Sequence, residues 1–251
     1  MDIKEFLNLK AEEYNNSSFI KDDPIQIPHL FNKKEDIEIS GFLTSTISWG
    51  NRKSIITSSI KMMKLMDNDP HNFIINHSEK DLKKLLKFVH RTFNGYDFIQ
   101  FIISLRHIYM NYGGLEKVFA ENIKNQSMHN SIHEFKKIFF EIPHTDRTKK
   151  HVSDPLKGSA SKRINMFLRW MVRKDERGVD FGLWNGIKQK DLLLPLDVHT
   201  GNVARKLGIL KRKQNDVKAV IEVTNQLSAF CPSDPIKYDY ALFGLGSIEK
   251  F

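Results

Sequence analysis

The sequence predicts an all-α fold, and three observations carry the prediction. Apolar residues recur at helical spacing along most of the chain. Cap residues, glycines and prolines punctuate those stretches where helices start and stop. No segment alternates apolar and polar residues between turn signals as a half-buried strand does, and residues 191–194, DLLL, are too few to count as one. The pattern predicts roughly ten to thirteen helices. With 251 residues, 40% of them hydrophobic and 18 of them Phe, the chain fits one large domain or two closely packed lobes with a substantial core.

Residues 1–18 read as a helix on Phe6, Leu7, Leu9, Ala11 and Tyr14. Residues 19–34 carry two prolines and read as an ordered loop from which Asp22, Gln26 and His29 either reach a ligand or bond locally within turns. Residues 35–48 form a core helix with Ile39, Phe42, Leu43, Thr46 and Ile47 on one face. It stops at Trp49-Gly50, and Asn51-Arg52-Lys53 opens the next helix, which runs to about Met66 with Ile56, Ile60, Met63 and Met66 inward. Asp69-Pro70 and Ser78 start two short helices, the second with Ser78 as N-cap and Asp81 in its first turn. Residues 96–111 are strongly apolar, with Phe98, Ile99, Phe101, Ile102, Ile103, Leu105 and Ile108, and predict a central buried helix ended by Gly113-Gly114. Helices follow over 115–123 and 132–140.

The net charge is +9, from 39 basic and 30 acidic residues, which favours a polyanionic partner. The one cysteine, Cys231, excludes an internal disulfide and any multi-cysteine metal or iron–sulfur site. The charged N-terminus lacks an apolar signal core, and no run approaches the ~18 apolar residues of a membrane span, so a cytoplasmic protein without membrane association is expected.

The chemistry is concentrated in residues 157–197. Residues 149–174 hold eight basic residues (Lys149, Lys150, Lys157, Lys162, Arg163, Arg169, Arg173, Lys174) against one acid, Asp154. A helix predicted over 159–173 turns Ala160, Ile164, Phe167, Leu168 and Met171 inward and sets Lys162, Met166, Arg169 and Arg173 on another stripe. The small turn Gly158-Ser159-Ala160 lets backbone amides approach an anion at the helix start. That face either grips a DNA backbone or is simply solvated. In residues 195–208, Pro195 precedes a step, Asp197 takes the N-cap position and Gly208 closes the helix. Asp197 alone reads as an ordinary cap, and His199 as a surface histidine beside it. Residues 205–218 add six bases, so basic stretches flank the Lys162–Asp197 pair.

PLDVHTGNVARKLGIL resembles the segment of helix–hairpin–helix DNA glycosylases that carries their essential aspartate, and LKGSASKRINMFLRWM resembles the hairpin of their 8-oxoguanine-type members. Nearly the whole chain resembles an uncharacterised bacterial family of that superfamily, a domain of unknown function. DPIQIPHLF, EISGFLTSTISWGNRKSII, SASKRINMFLRWMVR, PLDVHTGNVARKLG and YDYALFGLG carry that likeness. The chain departs from the hairpin pattern at Lys157 and Ser159–Ala160, where a proline and a second glycine are usual, and it inserts RKDERGVDFGLWNGIKQK between Lys162 and Asp197.

The resemblance implies a helix–hairpin–helix glycosylase-like fold, two helical lobes around a cleft. It implies one such domain over 1–251, with the hairpin and catalytic segment at about 155–210. It implies a monomeric base-excision repair enzyme that acts without a cofactor or metal on double-stranded DNA with a damaged base, 8-oxoguanine first, as a bifunctional glycosylase and lyase. Lys162 is then the Schiff-base nucleophile and Asp197 the assisting acid. Gly158, Ser159, Ser161, Arg163, Asn51, Arg52, His199 and Arg205 would meet DNA. Trp49, Gln26 and Phe243 would line the base pocket, with Trp184 a further stacking candidate. Two other readings stay open. One is a non-catalytic helix–hairpin–helix DNA-binding protein in which Lys162 contacts phosphate. The other is a metal-dependent hydrolase using Asp197, His199 and His151, which lacks a recognisable ligand spacing.

Overall fold

The computed structural model describes residues 2–123 and 127–251. Those residues are predominantly helical. The first helices are α1 (Ile3–Tyr14), α2 (Ser17–Asp22), α3 (Lys34–Thr46), α4 (Arg52–Leu65), α5 (Pro70–Asn76) and α6 (Glu79–Leu85). There follow α7 (Gly95–Tyr112), α8 (Leu115–Ile123), α9 (Met128–Phe139), α10 (Lys162–Val172), α11 (Val198–Lys206), α12 (Val217–Phe230) and α13 (Tyr238–Ser247). No helix among the described residues is long and apolar enough to cross a membrane. Two compact units emerge: residues 1–21, 127–130 and 154–251, and residues 22–126 and 131–153.

In the second unit the core is a stack of phenylalanines. Phe42 from α3 lies 5.5 Å from Phe135, and Phe101 from α7 lies 4.8 Å from Phe139, centroid to centroid. Edge and tilted packing of this kind adds about 0.5–1.5 kcal/mol per pair to the burial itself. The long helix α7 starts on a capping box, Asn94 accepting from the Asp97 amide while Asp97 accepts from the Asn94 amide. Of its apolar residues Phe98, Phe101, Ile102, Leu105 and Ile108 are buried, whereas Ile99 is half-buried and Ile103 is 37% exposed. Capping of α6 by Ser78 and Asp81 follows the expectation.

Three features differ from the sequence reading. The predicted first helix splits into α1 and α2, with Met1 outside the described residues. α4 is rotated by about one residue: Ile55, Ser59, Met62, Met63 and Met66 are the buried positions, and Ile56 and Ile60 sit at the margin. Alternating small Ser with Ile and Met makes the two faces of this helix hard to tell apart by hydropathy. A two-residue hairpin also forms, with Val89–His90 pairing antiparallel with Phe93–Asn94 around Arg91 at φ 52°. Its strands are too short to register as a period-two pattern.

In the first unit α1 and α10–α13 pack around Trp170, Tyr238 and Tyr240, all fully buried. α13 is the hub: α1 and α11 both pack on it. Gly246 eases that packing, because a Cβ at that position would come within 3.1 Å of the His199 Cβ on α11, tighter than ordinary contact.

Candidate active site

The site is built from two helix starts in the first unit. Residues 155–157 make a single 3-10 turn, and Gly158 closes it at φ 91°, a conformation that glycine adopts without steric cost. Ser161, at φ 49° and ψ 37°, is also left-handed, and Lys162 is the first helical residue of α10. The helix therefore begins three residues later than the predicted 159, because two left-handed residues consume the stretch before it. The Gly158 and Ser159 amides donate to the Pro155 and Asp154 carbonyls, and the Ser161 amide donates to Ser159 Oγ at 3.1 Å. Those amides are spent inside the turn. Two of the three amides expected to approach an anion, those of Gly158 and Ser159, are therefore already bonded, and Ser161 makes no side-chain cap at the start of α10. The turn is anchored from behind by the Val217 amide donating to the Gly158 carbonyl at 3.2 Å and by a bridge between Ser159 and Asp216.

Asp197 caps α11. Its Oδ1 accepts from the His199 amide at 2.9 Å and the Thr200 amide at 3.0 Å, while Thr200 Oγ1 accepts from the Asp197 amide at 2.9 Å. All the backbone cap bonds to the carboxylate fall on Oδ1. The other oxygen, Oδ2, faces Lys162 Nζ at 3.8 Å. The two side chains are 28% and 26% exposed, neither surface-solvated nor sealed. The cap thus fixes the carboxylate's orientation with one oxygen and leaves the second for the amine. Residues 35 apart in sequence meet despite the insert between them, because the insert folds back on α10. The Phe181 and Trp184 amides donate to the Trp170 and Met171 carbonyls at 2.8 and 3.0 Å, satisfying the end of that helix.

The basic flanks behave differently from a uniform DNA-gripping face. Arg169 and Arg173 are 4% and 3% exposed. Arg169 Nε donates to Asp180 Oδ1 at 3.2 Å and its Nη1 to Asp239, while Arg173 Nη1 bonds Asp180 Oδ2 at 3.1 Å and its Nε bonds Asp234 at 3.0 Å. The predicted polar stripe of α10 is therefore internal beyond Lys162, since an arginine fork can be buried when carboxylates meet it. Arg163 is half-buried, and desolvation pushes its guanidinium down to about 10. Arg205 donates to the Arg212 carbonyl at 2.8 Å and to Asn215, tying down the turn before α12, and Arg212 pairs with Asp216. Lys157, Lys206, Lys211, Lys213 and Lys218 stay exposed, as do Gly158 and His199. Ser159 is half-buried.

Asn51 and Arg52 are exposed in the second unit, where Asn51 caps α4 by accepting from the Ser54 amide. Of the expected base-pocket residues, Trp49 and Gln26 belong to that unit and Phe243 to the first. Trp49 sits among rings, edge-on to His90 at 5.2 Å and near-parallel to His151 at 6.1 Å. Gln26 bonds the Asp23 carbonyl at 3.2 Å. Phe243 packs edge-on against Phe19 at 5.7 Å. Trp184 is 2% exposed against Phe167, so it cannot offer a face to a flipped base. Asp22 is exposed and His29 half-buried. His151 lies in the second unit, 3.4 Å from Asp97, whereas Asp197 and His199 lie in the first. Among the described residues no group of three or more His, Cys, Asp or Glu could hold a metal ion.

Sequence reasoning missed the acids that receive the arginines. Asp239 stands alone in an apolar helix, YDYALFGLG, and Asp180 lies in the insert. An isolated acid in an apolar stretch is itself a signal that a buried cation waits for it. No curated protein and no solved structure matches the chain. A family model matches residues 23–248, nearly all of the chain, and the protein belongs to the family described as Protein of unknown function (DUF2400).

Proposed function

We propose that the protein is a DNA repair glycosylase with lyase activity that removes an oxidised base through Lys162, assisted by Asp197, within a helix–hairpin–helix glycosylase-like fold. The observation that carries this reading is the meeting of Lys162 Nζ and Asp197 Oδ2 at 3.8 Å, with both side chains about a quarter exposed. A nucleophilic lysine needs a partly desolvated site, and a carboxylate beside it can take up the amine proton and stabilise the positive charge that develops on the sugar. A solvated phosphate-binding lysine needs neither.

The chemistry follows from the two groups. The target base leaves the stack to become reachable. As the glycosidic bond breaks, the base departs with the bonding electrons and positive charge develops on the sugar. Asp197 Oδ2 stabilises that charge, as carboxylates do in glycoside hydrolysis. Lys162 Nζ, its ammonium proton passed through Asp197 to the departing base, forms a bond to C1′; a proton from that nitrogen moves to O4′ as the sugar ring opens to the Schiff base, and loss of a C2′ proton then expels the 3′ phosphate and nicks the strand. The uncapped first turn of α10 and the exposed lysines of the flanks would hold backbone phosphates. The partner is then double-stranded DNA with a damaged base, 8-oxoguanine first.

A second reading, a DNA-binding protein without chemistry, is favoured by one observation: Asp197 makes a complete capping box, so its presence is explained by helix stability alone. Borohydride trapping separates the two. With a duplex containing 8-oxoguanine and another containing an abasic site, the glycosylase reading predicts a covalent complex on both, absent in Lys162→Ala. Salt-dependent DNA binding with no covalent complex on either substrate would leave the binding reading.

A further inference from the structure

Three consecutive residues at the entry to α12, Asn215, Asp216 and Val217, touch both helix starts of the candidate site. On one side Asn215 Nδ2 donates to the Asp197 main-chain carbonyl at 3.0 Å. That carbonyl also accepts the Gly201 amide at 2.9 Å, the first bond of α11. On the other side the Val217 amide donates to the Gly158 carbonyl at 3.2 Å, and Asp216 bridges Ser159. The turn that launches Lys162 is thus tied to the same segment that holds Asp197. Arg212 Nε locks the segment by donating to Asp216 Oδ1 at 2.7 Å.

The Asn215 side chain is fitted on every side. Its Oδ1 accepts from Arg205 Nη2, and Arg205 Nε donates to the Arg212 carbonyl at 2.8 Å. A guanidinium on the oxygen and a carbonyl on the nitrogen admit one orientation of the amide, because the flipped form would set donor against donor and acceptor against acceptor. Gly201 leaves the room. A Cβ there would lie 2.8 Å from Asn215 Oδ1 and 2.9 Å from Arg205 Nη1, so these side chains would have to shift.

We propose that Asn215 is a positioning residue of the site, on the reading that Lys162 and Asp197 are its working pair. Its amide holds the start of α11, the two residues after it hold the turn before α10, and together they set the 3.8 Å separation of Lys162 Nζ and Asp197 Oδ2. The main chain decides where Oδ2 lies, because Oδ1 is bound to the His199 and Thr200 amides and the carboxylate moves with the helix start. A misplacement of about 1 Å near reacting groups can cost about a hundredfold in rate.

A double-substitution cycle on the full chain tests this, read as the single-turnover rate of borohydride trapping at an abasic site and, separately, as the dissociation constant of the duplex. Asn215→Ala should slow trapping about tenfold or more with the dissociation constant unchanged. Gly201→Ala improves helix propensity, yet should slow trapping as well, because its methyl displaces the Asn215 amide. The double variant should be no slower than Asn215→Ala alone. A merely stabilising Asn215 predicts full-rate trapping by folded Asn215→Ala and no loss in Gly201→Ala. Either result overturns the proposal, as do losses that multiply in the double variant. Where Asn215→Ala folds poorly, Gly201→Ala decides alone.

Hydrogen exchange gives a readout independent of the chemistry. The His199 and Thr200 amides, held by Asp197 Oδ1, should lose protection in Asn215→Ala while the amides of α7 keep theirs. Lost protection in a protein whose unsubstituted form traps nothing would retire the lyase reading and keep the brace. Unchanged protection at both amides would remove Asn215 from the site and leave Lys162 as nucleophile wherever trapping persists.

Discussion

Helix α10 carries two cation–carboxylate systems of opposite character. At its first residue Lys162 faces Asp197 at 3.8 Å, with both groups about a quarter exposed and no direct hydrogen bond between them. Two turns on, Arg169 is sealed in the core between Asp180 and Asp239, bonded to both. The first pair is loose, wet and asymmetric: one carboxylate oxygen serves a helix cap while the other faces an amine. The second is dry and saturated. Breaking a buried pair leaves an uncompensated charge, whereas an exposed pair adds little to stability. The same residue types on one helix therefore sit in opposite settings: the inner set is locked by its partners, and the outer pair keeps one carboxylate oxygen and the amine unbonded to each other and open to solvent.

Substitutions can break this contrast in order of size. Arg169→Ala strands Asp239 in the core and leaves Asp180 with Arg173 alone, and should cost about 3–5 kcal/mol of stability in urea unfolding. In the second unit, Asp97 is fully buried and accepts from Thr148 at 2.9 Å and Arg147 at 2.6 Å. Burial alone would raise its carboxyl, but the Asn94 amide, Thr148, His151 and Arg147 together hold it below the ordinary range. Its contribution is present above the unfolded value and lost as pH falls through the folded one. Asp97→Ala should therefore destabilise by about 2–3 kcal/mol at pH 7 and by less in acid.

Asp197→Ala removes the cap of α11 and should cost about 1 kcal/mol, while abolishing the proposed base removal. Lys162→Ala should change stability by less than ~0.5 kcal/mol yet eliminate covalent trapping. A pH series completes the set. The Asp239 carboxyl is raised to about 6 in the folded chain by burial, so its contribution to stability is fully present below the unfolded value of ~3.9. That contribution is lost as pH rises through about 6. Between about pH 4 and pH 6, the unsubstituted protein should therefore lose more stability than Asp239→Asn does in unfolding titrations. Equal slopes would remove Asp239 as the titrating group.

Much of the fold is legible because its helices are marked at both ends. Asn94, Ser78 and Asp197 are caps by residue type, and Gly113 closes α7 by its left-handed φ of 75°. The start of α10 at Lys162 is not legible: the pattern places it at 159, and the left-handed Ser161 that delays it leaves no signal, since serine carries no such preference. Pattern fails most at Arg169 and Arg173. A 3.6-residue period places them on a polar stripe, and only the remote acids Asp180, Asp234 and Asp239 make that stripe internal. Tertiary pairing of charges leaves no periodic trace in a single sequence. The meeting of Lys162 and Asp197 was legible only through the resemblance of two separate segments to one enzyme superfamily, because the insert between them hides their proximity.

Whether Lys162 attacks the sugar is read out by peptide mapping of the borohydride-trapped complex. A duplex carrying an abasic site is trapped, digested with nuclease and protease, and analysed by mass spectrometry for the lysine that retains the sugar remnant. The account predicts the remnant on Lys162 and on no other lysine of the chain. A remnant spread over the exposed lysines of residues 206–218, or confined to a lysine other than Lys162, would contradict it.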